Sequence, residues 1–106
     1  MEARLVDSSD GRICLEGVLD FSTAAALHDQ LLDALRRGSG NVELDLSGVQ
    51  HSNSVGLSLI LLAARELATL GRQLSVASLP EGLHSMAGVC GLDDWLSGLA
   101  GSARQP

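Results

Sequence analysis

The sequence predicts an α/β domain, a mixed sheet of about four strands with helices on one face, and three observations predict it. Residues 42–46 alternate: Val42, Leu44 and Leu46 point one way, Glu43 and Asp45 the other. One sheet face is therefore covered and the other at least partly wet. Residues 72–76 repeat the pattern through Leu74 and Val76. Between them runs a long helical segment, residues 54–70, closed by Gly71. Strand, helix and strand at this spacing make a parallel crossover.

The remaining elements follow in order. Residues 3–6 form a short strand. Residues 7–11, Asp-Ser-Ser-Asp-Gly, are dense in turn formers, and residues 12–18 form a second strand, so the two make a hairpin. Residues 19–22 connect to a helix, with Ser22 as its N-cap. Over residues 23–37 the apolar side chains Ala24, Leu27, Leu31, Ala34 and Leu35 share one face. Arg36 and Arg37 occupy the last turn, where cations suit the helix dipole, and Gly38 is the expected stop. After the strand at 72–76, Pro80 and Glu81 start a short helix reaching residue 87 or 88. Residues 92–96 make a final helical turn, leaving 1–97 as one domain and 98–106 as a flexible tail. Trp95 is expected to pack on these last helices or to mark a second contact.

Composition removes several function classes. The chain has 106 residues, 45% of them hydrophobic, enough to bury a core without staples. Its aromatics are only Phe21 and Trp95, too few to stack single-stranded bases. Thirteen acids stand against seven bases, all Arg and scattered, for a formal charge of −6. No basic footprint exists for a phosphate backbone or an anionic membrane surface. No apolar run reaches the ~18 residues of a membrane span, and the start Met1-Glu2-Ala3-Arg4 is unlike a signal peptide, so a cytoplasmic protein is expected. Cys14 and Cys90 lack metal-ligand spacing and read as two buried thiols in a reducing compartment.

The central helix carries the most information. On a wheel of ~100° per residue, Leu57, Ile60, Leu61, Ala64, Leu67 and Ala68 form a stripe that faces the sheet. Val55, Leu59 and Leu62 lie nearly opposite, beside Ser58, Glu66 and Thr69. The first half of the helix is thus apolar on two sides, and the second side is a candidate partner-binding patch. The chain enters this helix from the C-terminal end of the central strand through Gln50-His51-Ser52-Asn53-Ser54, where parallel sheets place functional sites. Asn53 or Ser54 can cap the helix, and a phosphoryl group on Ser54 would meet its free amides.

The stretch Leu44-Asp45-Leu46-Ser47-Gly48-Val49, then Asn53-Ser54-Val55-Gly56-Leu57, resembles the central signature of the STAS family, the domain of sulfate transporters and anti-anti-sigma factors. Gly17 with Leu19-Asp20, Gly71, and Gly91-Leu92 fit the same pattern, and the resemblance spans roughly residues 3–97. It implies a STAS-type (anti-anti-sigma-factor-like) fold, and it maps the family's phosphorylated Ser or Thr onto Ser54. The acidic residue that precedes it in the family is here Asn53, which can cap but carries no charge. The short end after Leu96 resembles the small STAS subunit of the Mla phospholipid-transport system. That subunit is non-catalytic and binds the cytoplasmic ATPase of an ABC transporter at the inner membrane. The alternative branch is an anti-sigma factor antagonist, whose partner is a serine kinase of the anti-sigma type.

Rival readings find less in the residues. There is no phosphate loop, no nucleophile elbow, and no metal spacing among His28, His51 and His84, so neither an enzyme nor a cofactor is expected. An apolar pocket for a small molecule is conceivable on composition, but no motif identifies a ligand. The expected contact surface is Ser54, Val55, Ser58, Leu59 and Leu62, with His51 and Asn53 on its rim.

Overall fold

The computed structural model describes residues 2–8, 11–92, 94–96 and 98. The elements are β1 (Ala3–Asp7), β2 (Arg12–Leu19), α1 (Ala24–Arg37), β3 (Val42–Ser52), α2 (Ser54–Thr69), β4 (Leu74–Ala77) and α3 (Glu81–Val89). One sheet has the order β1-β2-β3-β4. The hairpin β1–β2 is antiparallel, while β2–β3 and β3–β4 are parallel. Successive crossovers through α1 and α2 step the same way across the sheet. Right-handed connections therefore put both helices on one face.

That face holds the core. Ile13, Leu15 and Leu19 of β2, Leu44 and Leu46 of β3 and Val76 of β4 meet Leu27, Leu31 and Leu35 of α1, Ile60 and Leu67 of α2 and Leu83 of α3. The opposite face stays polar, and cross-strand ion pairs organise it. Arg4 Nε lies 2.7 Å from Glu16, and Arg12 reaches Glu43 at 3.2 Å and Asp45 at 2.9 Å. Asp45 is buried although it sits on this wet side, because Arg12 covers it.

Several boundaries differ from the sequence reading. β3 does not end at Leu46 but runs on to Ser52 through Ser47 and Gly48. Its register with β2 slips between Cys14 and Glu16 and between Gly17 and Val18, which breaks the two-residue alternation. His51 and Ser52 are thus strand residues paired with Val18 and Leu19, not loop residues. β4 is shorter than expected because Arg72 is drawn off: its guanidinium donates to the Leu35 carbonyl at 2.6 Å and to the Gly40 carbonyl, closing the end of α1. Ser22 does not cap α1. It donates its amide and hydroxyl to Asp20 Oδ1, at 2.9 and 2.6 Å, and Thr23 takes the N-cap position without a side-chain cap bond.

Near the C-terminus, Leu96 is fully buried and its amide donates to the Leu92 carbonyl at 2.9 Å, as a final helical turn requires. Trp95 is half-buried and packs on the core. Residues 99–106, most of the expected tail, lie outside the described residues.

Candidate interaction surface

Asn53 builds the start of α2. Its amide donates to the Leu19 carbonyl at 3.0 Å, and its Oδ1 accepts the Val55 amide at 2.8 Å. The second bond satisfies an orphan donor of the first turn with a neutral acceptor. Ser52 Oγ donates to the Asn53 carbonyl at 2.9 Å and holds the approach. Ser54 follows as the first helical residue, exposed at the helix N-terminus.

α2 buries far more of its circumference than the two-stripe pattern implies. Val55, Gly56, Leu57, Leu59, Ile60, Ala63 and Leu67 are all buried. Val55 and Leu59 are 6% and 3% exposed, so they cannot form an outward contact patch, and that expectation is corrected. The cause is lateral: α2 lies between α1 and α3, and each neighbour covers one flank. Arg36 of α1 pairs with Glu66 at 3.2 Å on one side. Near the start of α2, a methyl on Gly56 would lie 3.0 Å from Leu83 of α3 and would strike Ser52 Oγ. This close approach explains the glycine.

What faces outward is a narrower arc. Ser54, Ser58, Arg65, Ala68 and Thr69 are exposed, and Leu61 and Leu62 are half-buried along its borders. Of the expected contact residues, Ser54, Ser58 and Leu62 share this arc. His51 is exposed at the end of β3, and Asn53 is half-buried between them.

The connection from β2 to α1 reaches the same rim, and sequence reasoning missed its contribution. Phe21 is 78% exposed. The turn that presents it is held firmly. Thr23 Oγ1, in a buried residue, donates to the Val18 carbonyl at 2.9 Å and accepts the Asp20 amide at 3.1 Å. The hydrogen bond from the Ser22 hydroxyl keeps the Asp20 carboxyl below the usual carboxylate range, so the turn carries a negative charge at neutral pH. The available signal was a lone Phe set between two turn-forming residues.

Other candidates bring less together. Cys90 is exposed at the end of α3, which corrects the expectation of two buried thiols, and Cys14 is half-buried with Sγ 4.0 Å from Asp45 Oδ2. Among the described residues no group of His, Cys, Asp and Glu could hold a metal ion, and no helix is long and apolar enough to cross a membrane. An open groove of about 870 Å³ runs past Glu2, Arg4, Glu16, Val18, Thr23 and Leu27. Its walls mix charged Glu2, Arg4 and Glu16 with apolar Val18, Ala26 and Leu27.

Comparison with known proteins agrees with this architecture. Residues 5–100 match the family described as "Mlab, STAS domain". A protein of Bordetella bronchiseptica named as an anti-sigma factor antagonist, BtrV, is 32% identical over 76 residues, or 70% of this chain. The chain spans 66% of that protein's length, just under two thirds. An anti-sigma factor antagonist from Mycobacterium paratuberculosis superposes with a TM-score of 0.75 at 20% identity, over 98% of this chain and 96% of that one. The unphosphorylated anti-sigma factor antagonist SpoIIAA gives a TM-score of 0.68 at 16% identity, over 89% and 84%. At these identities the two structures show the fold.

Proposed function

The chain belongs to the STAS domain family, and from that premise we propose that it is a non-catalytic subunit of an Mla-type phospholipid ABC transporter. It binds the transporter's cytoplasmic ATPase and stabilises or regulates it, in a system that maintains the lipid asymmetry of the outer membrane. The description of the matched family supports this reading. The observation that carries a binding role is the outer arc of α2. Exposed Ser54 and Ser58 lie beside half-buried Leu62, with His51 and Asn53 on the rim. A small apolar strip with polar anchors suits a protein interface. The subunit acts by binding one conformation of the ATPase better than another, and it is cytoplasmic, held at the inner membrane by its partner.

A second reading is an anti-sigma factor antagonist whose partner is a serine kinase. Exposed Ser54 at a helix N-terminus favours it, as does the relative from Bordetella bronchiseptica. Purified chain titrated against the transporter ATPase and against an anti-sigma kinase separates the two. A complex with the ATPase and a changed hydrolysis rate supports the transporter reading. A complex with the kinase, and phosphate on Ser54, overturns it.

A further inference from the structure

We infer that Phe21 is the aromatic anchor of the partner interface, and that it seats in an apolar socket bordered by basic side chains on the ATPase. The inference rests on the proposed function and adds the anchoring residue and the charge of the surface that receives it. Phe21 is 78% exposed and is the one phenylalanine of the chain. An aromatic ring left in water, on a turn fixed by Thr23 and Asp20, is the type of residue that dominates interface energy. A backbone turn already fixed leaves only the side-chain freedom of the ring to be lost on binding.

The surroundings give the sign of the partner. Phe21 stands at the end of the sheet where β2 and β3 finish, joined by the bond from the Asn53 amide to the Leu19 carbonyl. Asp20 precedes it, the Glu2 carbonyl accepts the Val18 amide at this same end, and Glu81 opens α3 after β4. Among the described residues every arginine but Arg4 lies elsewhere. Arg12 starts β2, Arg36 and Arg37 end α1, Arg72 precedes β4, and Arg65 sits late in α2. Arg4 is at this end, on the groove with Glu2 and Thr23, but its charge is offset by Glu16 at 2.7 Å. A second copy docking here would set acids against acids, and anionic lipid would meet the same repulsion. A basic protein surface is attracted, and a guanidinium could also lie over the ring.

The single phenylalanine makes the test direct. Chain labelled with 4-fluorophenylalanine carries one fluorine at position 21 and is titrated with the purified ATPase by fluorine NMR, at low and at high salt. The expected result is a shifted, broadened resonance in a complex that weakens as salt rises. Phe21→Ala is expected to bind about tenfold or more weakly at an unchanged melting temperature. A full-affinity complex with an unmoved resonance, or one indifferent to salt, overturns the inference and leaves the proposed function standing. A shift on concentrating the chain alone, with a dimeric mass, overturns it in favour of self-association. Absence of any complex with the ATPase removes the proposed function and this inference together.

Discussion

The amide of Asn53 donates to the carbonyl of Leu19 at 3.0 Å, and this bond joins the start of α2 to the end of β2. It places Ser54 and the Phe21 turn on one rim, although 33 positions separate them in the chain (54 − 21). The following predictions test its parts.

Leu59 and Ser58 are adjacent but should behave in opposite ways. Leu59 is 3% exposed, so Leu59→Ala should cost about 2–5 kcal/mol of stability, read by chemical denaturation. Leu59→Asp should prevent folding rather than disable binding alone. Ser58 is exposed, and Ser58→Glu should leave stability within about 0.5 kcal/mol of the parent.

Asn53 should be worth a helix cap. Asn53→Ala loses the acceptor of the Val55 amide and should destabilise by about 1 kcal/mol. Asn53→Asp keeps the acceptor and adds a charge at the positive end of the dipole. It should raise stability by about 0.3–1 kcal/mol at low salt, an increment that fades as salt is added.

Two glycines should resist a methyl group for different reasons. Gly17 has φ +95°, and a Cβ there would strike the Glu2 carbonyl oxygen, which accepts the Val18 amide. The obstacles are backbone atoms of Glu2 and Ala3, which cannot swing aside as a side chain does, so Gly17→Ala should cost more than about 2 kcal/mol. At Gly56 the obstacles are the side chains of Ser52 and Leu83, and Gly56→Ala should cost about 1–3 kcal/mol as α3 is pushed outward.

Acid should act partly through Asp45. Burial raises its pKa, but hydrogen bonds from Ser47 and the nearby Arg12 guanidinium more than offset this and hold it below the usual value. A lowered folded pKa means that the stabilisation is complete above the unfolded value of ~3.9 and is lost as pH falls through the folded value. Asp45→Asn should therefore destabilise at neutral pH and flatten the loss of stability below about pH 4, measured by denaturation from pH 2 to 7.

The fold was legible because the alternation at Val42–Leu46 and the apolar periodicity of α1 reflect burial against one sheet face, whereas of the stripe expected for α2 Leu57, Ile60 and Leu67 are buried but Ala68 is exposed and Leu61 borders the outer arc. The end of β3 was not legible. Ser47 and Gly48 look like breakers, and the bulged pairing with β2 shifts the face that each residue presents. The contact surface was half legible. Ser54, Ser58 and Leu62 share the outer arc, but a helical wheel cannot tell an exposed flank from one covered by a neighbouring helix, and α1 and α3 cover Val55 and Leu59. Phe21 was invisible because a turn residue carries no periodicity, and its exposure follows only from the bonds that fix Asp20, Ser22 and Thr23.

The most direct test of the central claim is the affinity of the purified chain for the transporter ATPase, measured by calorimetry for the parent and for Ser58→Glu, with melting curves of both. The account predicts a complex that Ser58→Glu weakens by about tenfold or more, through the bulk of the new side chain and the cost of desolvating its carboxylate in the contact, while the melting temperature stays the same. Equal affinities for the two proteins would contradict the placing of the interface on α2, and no binding by the parent would contradict the transporter role itself.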